Sequence, residues 1–417
     1  MTRLPLPAPG AEAATAFVAD HLGHLCCDEP AASPTFRGGQ RAADAALAAF
    51  DVTGYASRRN EVLPNDRRGA SALSPYIRHG LLSLAAVWRH VGAGPSRDVF
   101  KFRDELLWQE YARHWYARHG RRTASGMRRE LATRRAEDPV WDRSMRCLDV
   151  VLGELETDGW LVNQTRMWLA SDWSVRNGSP WQMGEDHFFQ HLLDGSRAAN
   201  RLGWQWTTGV GSAKPYGFSR WQVTKRAPGL CGECDHRDAC PIEDWPDDPA
   251  WIESPNVAAA DRQPGLLTDP TAVVGPLAPQ STGVPEVVVL TAESLGERDP
   301  ALDANPDLGV VFVFDEPLLA QLRLSGKRLV FLVETLAELA EHRDLELHLG
   351  RPADVLTGWP YAVTFAPVPG LRRLLNANAQ EAVEVHPYRW LATPTMRSLD
   401  RTHSFSAWRK TVTVSVD

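Results

Sequence analysis

Residues 159–171 read G-W-L-V-N-Q-T-R-M-W-L-A-S, and residues 192–206 read L-L-D-G-S-R-A-A-N-R-L-G-W-Q-W. Asn163, Arg166 and Met167 stand at i, i+3 and i+4, so a helix carries all three on one face. Asp194, Asn200, Trp204 and Trp206 follow on a second segment, opened by a short polar turn. Generic helical packing does not call for two polar faces beside indoles, and their convergence suggests a flavin pocket.

Outward from this segment, the text is helical on both sides. Runs such as A-A-D-A-A-L-A-A-F and F-R-D-E-L-L-W-Q-E-Y-A-R-H-W dominate residues 12–230, and few β-branched runs interrupt them. From about 242 to 284 the chain turns to Pro, Asp, Ala and Gly punctuation, which reads as a long surface linker. Beyond it E-V-V-V-L-T, G-V-V-F-V-F-D, L-E-L-H-L-G and Y-A-V-T-F-A are short β-rich runs. They alternate with helical stretches at 316–341 and 368–379, the βαβ signature of a parallel sheet.

A chain of 417 residues, 43% apolar and 23% charged, has room for two or three globular domains. Most of its sixteen tryptophans fall before residue 255. Indoles serve as core filler, as platforms for bases or as stepping stones for electrons, and core filler is the default. The N-terminal residues lack a basic and apolar leader pattern, and no window approaches about eighteen consecutive apolar residues. The expectation is a cytosolic protein without a membrane span. Net charge is −7, with 30 Lys+Arg against 24 Asp+Glu in residues 1–230 and 15 against 28 in the rest. The mildly basic first part suits a phosphate-bearing ligand or nucleic acid, and equally a solvated Arg-rich surface.

The two opening phrases resemble the flavin-binding half of the photolyase/cryptochrome family, whose pattern is roughly N-R-x-R-M-x-x-A-S followed by D-G-D-x-A-x-N-x-G-W-Q-W. The loop R-R-G-A-S-A-L-S-P-Y (67–76), preceded by Tyr55, is similar to that family's phosphate loop T-S-x-L-S-P-Y. From the residues alone it is an N-cap that could hold phosphate at a helix start. The resemblance places the FAD diphosphate at Ala70, Ser71, Ala72, Leu73 and Ser74, with Ala70 in place of the threonine. F-R-D-E-L-L-W-Q-E-Y (102–111) is similar to E-L-x-W-R-E-F. By the same resemblance Glu105, Trp108, Met167 and Trp206 would meet a damaged pyrimidine pair. Asn163 and Arg166 would flank the flavin ring, Asp194 would pair with Arg166, and Asn200 would sit near the reactive N5. Trp204 and Trp181 match the inner members of the family's electron-transfer chain; the third has no evident match.

Gln109 and Gln164 stand where the family has arginines, and Ser196 replaces the second aspartate of D-G-D. The T-G-x-P-x-V-D-A lead-in is reduced to A-E-D-P-V-W-D-R (136–143). Lost positive charge weakens phosphate contacts, so these departures bear on DNA more than on flavin. Asn163-Gln164, rather than a histidine pair, argues against a (6-4) lesion.

Cys231, Cys234 and Cys240 stand in C-G-E-C-D-H-R-D-A-C-P, a density that in a cytosolic chain points to metal. The fourth ligand is either His236, giving a Cys3His zinc site, or Cys147. The stretch from Cys147 and the terminal cysteines resemble the bacterial iron–sulfur branch of the family, which implies a [4Fe–4S] cluster on Cys147, Cys231, Cys234 and Cys240, with zinc as the alternative. Cys26 and Cys27 read as ordinary thiols of an N-terminal helix. His187 and His191, at i and i+4, lack the glutamate of a zincin pair and read as a satisfied helical pair. G-V-G-S-A-K (209–214) follows no strand and reads as a loop.

The expected architecture is mixed: an all-α FAD-binding domain with the cysteine cluster at 1–241, a linker at 242–284, and a Rossmann-like parallel α/β domain at 285–417. The last resembles the family's antenna domain, which normally comes first, so the two domains would stand in reversed order; the antenna chromophore is unspecified. The function implied is light-driven electron transfer from reduced FAD to a cyclobutane pyrimidine dimer in DNA. A cryptochrome-like photoreceptor and a flavin/iron–sulfur redox enzyme that has left DNA are the alternatives, and a monomer is expected.

Overall fold

The computed structural model describes residues 1–133, 139–260 and 269–416. The retained lead-in residues 136–138 and part of the expected linker, 261–268, lie outside the described residues. The strands are β1 (Thr2–Leu4), β2 (Glu130–Leu131), β3 (Trp251–Ile252), β4 (Gln280–Ser281), β5 (Val287–Leu290), β6 (Gly309–Asp315), β7 (Leu345–Gly350), β8 (Tyr361–Thr364) and β9 (Glu384–His386). Seven of them form one sheet in the order β1-β7-β6-β5-β8-β9-β4, parallel from β7 through β9 and edged by antiparallel β1 and β4. The β-rich runs of the sequence supply β5 to β8. Their Val- and Leu-rich interiors are buried, as a sheet covered on both faces requires. No helix among the described residues is long and apolar enough to cross a membrane.

Helices between residues 11 and 226 build the other half, and three features join it to the sheet. Strand β1, from the N-terminal end, pairs with β7. The helix Gly326–Leu339 is buried along its whole length, Lys327, Arg328, Glu334 and Glu338 included. Its carboxylates are answered from residues 37–41: Gly38 N–H donates to Glu334 Oε2 at 2.7 Å, Arg37 pairs with Glu334, and Arg41 N–H donates to Glu338 Oε1 at 2.8 Å. Buried carboxylates need such partners, because an unpaired charge in the interior is costly. At the far end, the chain after β9 returns to the long helix Ser96–His119. There Trp408 is fully buried and donates from Nε1 to His114 Nδ1 at 2.9 Å, while Tyr111 OH donates to Thr402 O at 2.7 Å.

The described parts of 242–284 are not a surface linker throughout. Ile242, Ser254 and Val274 are buried, β3 pairs with β2, and Asn256 Nδ2 donates to Arg122 O at 2.9 Å. Pro and Gly punctuation correctly marks irregular backbone, but it carries no information about what that backbone packs against. Cys26 and Cys27 also differ from expectation: they follow the helix Ala11–His21 and the turn Gly23–Leu25 rather than lying within a helix.

Asp299 shows how a sheet connection is held. Its Oδ1 accepts from Ala301 N–H and Leu302 N–H at the start of the helix Pro300–Ala304, and from Thr364 Oγ1 at 2.7 Å. Burial nonetheless pushes its carboxyl up from 3.8 to about 6. Below about pH 4 the group is neutral whether folded or unfolded. Between pH 4 and 6 the unfolded chain ionises first, so stability falls as pH rises, and above 6 a cost on the order of 3 kcal/mol is complete. Asp299→Asn is therefore expected to gain stability over the parent progressively from pH 4 to 6 and to hold that gain above; a constant difference in denaturant unfolding across the range would refute this.

Candidate flavin site and cysteine cluster

The helix Arg146–Asp158 ends at Gly159, whose φ of +70° favours glycine and whose N–H donates to Leu155 O at 3.0 Å. A Cβ there would lie 3.0 Å from both Leu193 and Lys327, so glycine also permits the close approach of the second segment. The helix Asn163–Ala170 follows, then Trp181–His191 and Arg197–Thr208. Arg166 Nη2 lies 2.8 Å from Asp194 Oδ2, and Arg166 Nε donates to Leu161 O at 3.0 Å. The turn carrying Asp194 is pinned at Gly195 O by Arg78 Nε at 2.9 Å and by Arg328 Nη2 at 3.1 Å.

Asp194 Oδ1 and Asn200 Nδ2 are buried and have no hydrogen-bond partner among the described residues. Buried polar atoms are nearly always satisfied, so one acceptor and one donor here fit a polar ligand such as the rim of a flavin ring. Trp204 Nε1 is a third such orphan on the same helix. Asn163 is exposed, Met167 is half-buried, and Gln164 is buried with its Nε2 donating to Tyr216 OH at 2.7 Å.

At the expected phosphate loop, Ala72 takes a left-handed φ of +54° and Leu73 is buried, ahead of the short helix Ser74–Arg78. Ser74 Oγ accepts from Trp160 Nε1 at 2.9 Å, which joins the loop to the opening phrase of the sequence. Ala70 and Ser71 are half-buried, and Ser71 Oγ lies 3.5 Å from Leu73 N. Arg68 pairs with Glu154, a contact no motif announced. Tyr55 packs edge-on against Phe102 at 4.8 Å, and burial pushes its phenol up.

Glu105 pairs with Lys101 at 2.9 Å and Arg59 at 3.5 Å, while Gln109 is half-buried. Trp108 stacks on Phe405 of the C-terminal helix Phe405–Arg409, with centroids 4.0 Å apart and planes at 12°. Trp206 is 45% exposed and Ser196 half-buried. Trp181 is buried and donates to Glu130 Oε2 at 3.1 Å. Trp204 meets Phe188 edge-on at 5.1 Å; Phe188 lies 6.3 Å from Trp141, which is 4.2 Å from Trp173. Sequence reasoning missed this aromatic run, because its members come from separate segments and each is an ordinary core residue by pattern. Gly184 makes room for it. An alanine Cβ there would come within 2.8 Å of the Trp204 ring, so Gly184→Ala is expected to lower thermal stability by about 1–3 kcal/mol.

Residues 102–227, which contain the Arg166–Asp194 pair, Asn200 and Trp204, match the family described as the FAD binding domain of DNA photolyase. The segment is similar to a photolyase FAD-binding domain. A deoxyribodipyrimidine photo-lyase of Thermus thermophilus is 34% identical over 196 residues, 43% of this chain and 44% of that one. Cryptochrome DASH of Idiomarina loihiensis is 27% identical over 263 residues, 59% of this chain and 55% of that one. The chain thus spans about half the length of these curated relatives. The crystal structure of a Synechocystis cryptochrome superimposes with a TM-score of 0.43 at 22% identity, over 47% of this chain and 45% of that one.

Cys147, inside the matched segment, and Cys231, Cys234 and Cys240, just after it, line one cavity together with Met145 and Ile242. Cys147 is buried on the helix Arg146–Asp158; burial first, then the neighbouring sulfurs of Cys231, Cys234 and Cys240, push its thiol up. His236 turns its Nε2 toward Ser144 Oγ at 2.8 Å. Around a single tetrahedral zinc, sulfurs lie about 3.8 Å apart. No three donors drawn from the four sulfurs and His236 lie within 4.8 Å of one another.

Proposed function

We propose that this chain binds FAD in its helical half and, under blue light, uses it to split cyclobutane pyrimidine dimers in DNA. The observation that carries the reading is the buried Arg166–Asp194 pair together with the unpartnered Asn200 amide on the helix that follows, inside the segment that matches a photolyase FAD-binding domain. Reduced FAD, when bound, supplies the photoexcited electron that opens the dimer and takes it back. Arg166 and Asp194 orient the ring, with Asn163 beside it and Asn200 toward N5; Tyr55, residues 70–74, Gln109 and Ser196 hold the remainder. Glu105, Trp108, Met167 and Trp206 face the lesion, and Trp204 and Trp181 feed electrons to the flavin. A charge-assisted pair is a sound orienting device, because its geometry is fixed by two partners of opposite sign.

The same proposal assigns 1–241 to the flavin domain, 242–284 to a connection, and 285–417 to an antenna-type Rossmann-like domain in reversed order, in a cytosolic monomer. Cys147, Cys231, Cys234 and Cys240 would hold a [4Fe–4S] cluster, supported by the one cavity that all four line.

Two features favour a second reading, a photoreceptor or redox flavoprotein that no longer repairs DNA. Gln164 stands where an arginine would face the backbone, and it is turned inward to Tyr216. Phe405 lies flat on Trp108 at 4.0 Å, which leaves no gap for a base on that face. Anaerobic holoprotein, reduced and illuminated with a dimer-containing oligonucleotide, separates the readings. Dimer loss that requires light supports repair. An unchanged oligonucleotide beside an intact flavin spectrum rejects repair, and light-driven flavin reduction in a parallel oxidised sample, with an added thiol as electron donor, selects the photoreceptor.

A further inference from the structure

Outside the flavin site and the cysteine cavity, one more group of metal-ligating side chains comes together. Cys27, Asp28 and His191 each offer a donor atom within 4.8 Å of the others, the one such set among the described residues. Cys27 Sγ is 3.9 Å from His191 Nε2, and Asp28 Oδ2 is 3.6 Å from His191 Nδ1. His187, one turn earlier on the helix Trp181–His191, has its ring centroid 4.5 Å from that of His191.

These donors are held in place by the fold. Cys27 N–H donates to Leu324 O at 3.1 Å, and Asp28 Oδ1 accepts from Gly326 N–H at 2.6 Å, at the start of the helix Gly326–Leu339. His191 closes an eleven-residue helix. Two segments distant in sequence therefore present ligands, one of them fixed by a third at residues 324–326, and this lowers the ordering cost of binding an ion.

One thiolate, one carboxylate and imidazole form a set that zinc accepts readily and calcium or magnesium does not. A mononuclear zinc takes one ring nitrogen: Nε2 stands 3.9 Å from Cys27 Sγ, against about 3.6 Å between sulfur and nitrogen on tetrahedral zinc, and the Asp28 carboxylate, now at Nδ1, turns from it to complete the set of donors within 4.8 Å. Two anionic ligands leave the occupied site neutral, one unit more positive than the empty site of neutral thiol and Asp28 carboxylate, beside Lys327 and Arg323. We propose that Cys27, Asp28 and His191, with His187 or water in the fourth position, form a mononuclear zinc site that clamps the 26–28 loop to the helices Trp181–His191 and Gly326–Leu339. Binding exchanges the Cys27 thiol proton for the metal and releases that proton to solvent.

The site is independent of the FAD reading, and its test is kept apart from the cysteine cavity by ligand type. Zinc is titrated calorimetrically into the purified full chain, and the bound metal is examined by X-ray absorption at the zinc edge. The expected result is one zinc per chain with one sulfur and three nitrogen or oxygen neighbours. Cys27→Ser and His191→Gln should each weaken binding by at least about tenfold, since even outer-shell losses cost that much. A shell of three or four sulfurs would assign the zinc to the cysteine cavity and overturn the proposal. So would unchanged affinity in both variants, or no stoichiometric uptake. If a variant fails to fold, the sulfur count of the parent protein decides alone.

Discussion

Cys147→Ser is expected to strip the iron from the protein, taking it from about four atoms per chain to nearly none. Cys147 lies on the helix Arg146–Asp158, whereas its three companions lie beyond the helix Arg220–Arg226, so a cluster on all four cross-links distant parts of the chain. A covalent closure of that length restricts the unfolded chain by about 4–5 kcal/mol in the chain-entropy picture. Spread over the unfolding entropy of a chain this size, that is a fall of roughly 5 °C in Tm. Iron and sulfide analysis with a thermal scan checks both parts. Cys26→Ala is the control: its thiol is buried elsewhere, donating to Leu22 O, and the variant should keep its iron. Full iron in Cys147→Ser would exclude the four-cysteine set, and zinc in place of iron in the parent would exclude the cluster.

The second large effect concerns the buried ion pair. Arg166→Met leaves the Asp194 carboxylate with neither oxygen partnered, because Oδ1 already lacks a hydrogen bond. Removing one member of a buried pair costs about 3–5 kcal/mol, most of it the burden of the stranded charge. Purified Arg166→Met should carry little FAD and unfold earlier. The double variant Arg166→Met/Asp194→Leu separates the two roles: stability should recover, since apolar replacements of a buried pair are well tolerated, while FAD should remain lost. The flavin-to-protein absorbance ratio and the unfolding midpoint report the two independently. A double variant that retains full FAD would show that the pair serves packing and not the cofactor.

The helical half, the parallel strands and the pairing of Arg166 with Asp194 were legible in the text. Helical period places Asn163, Arg166 and Met167 on one face, and runs such as G-V-V-F-V-F-D cannot sit in water, so both signals are local. Cys231, Cys234 and Cys240 were drawn together by their spacing, and Cys147 joined them only through the family resemblance; the structure lines one cavity with all four. Trp108 under Phe405, Trp141 beside Trp173, and Ser74 beneath Trp160 were not legible. Each member looks like ordinary core filling, and the partner lies many residues away. The surface-linker reading of 242–284 failed on Ile242 and Val274 for the same cause: composition reports backbone irregularity, whereas burial depends on what else folds over the segment.

Residue period and turn chemistry by themselves determined the classes of element and their order along the chain, because each depends on neighbours within a few positions, while the residues of both candidate sites were reached through the family resemblance. Tertiary structure alone decided that β1 joins β7, that the fully buried helix Gly326–Leu339 binds the sheet to the helical half, and that Cys27, Asp28 and His191 meet. Those contacts join residues whose separation in sequence carries no periodic signal, and only the packed chain brings their side chains within bonding distance.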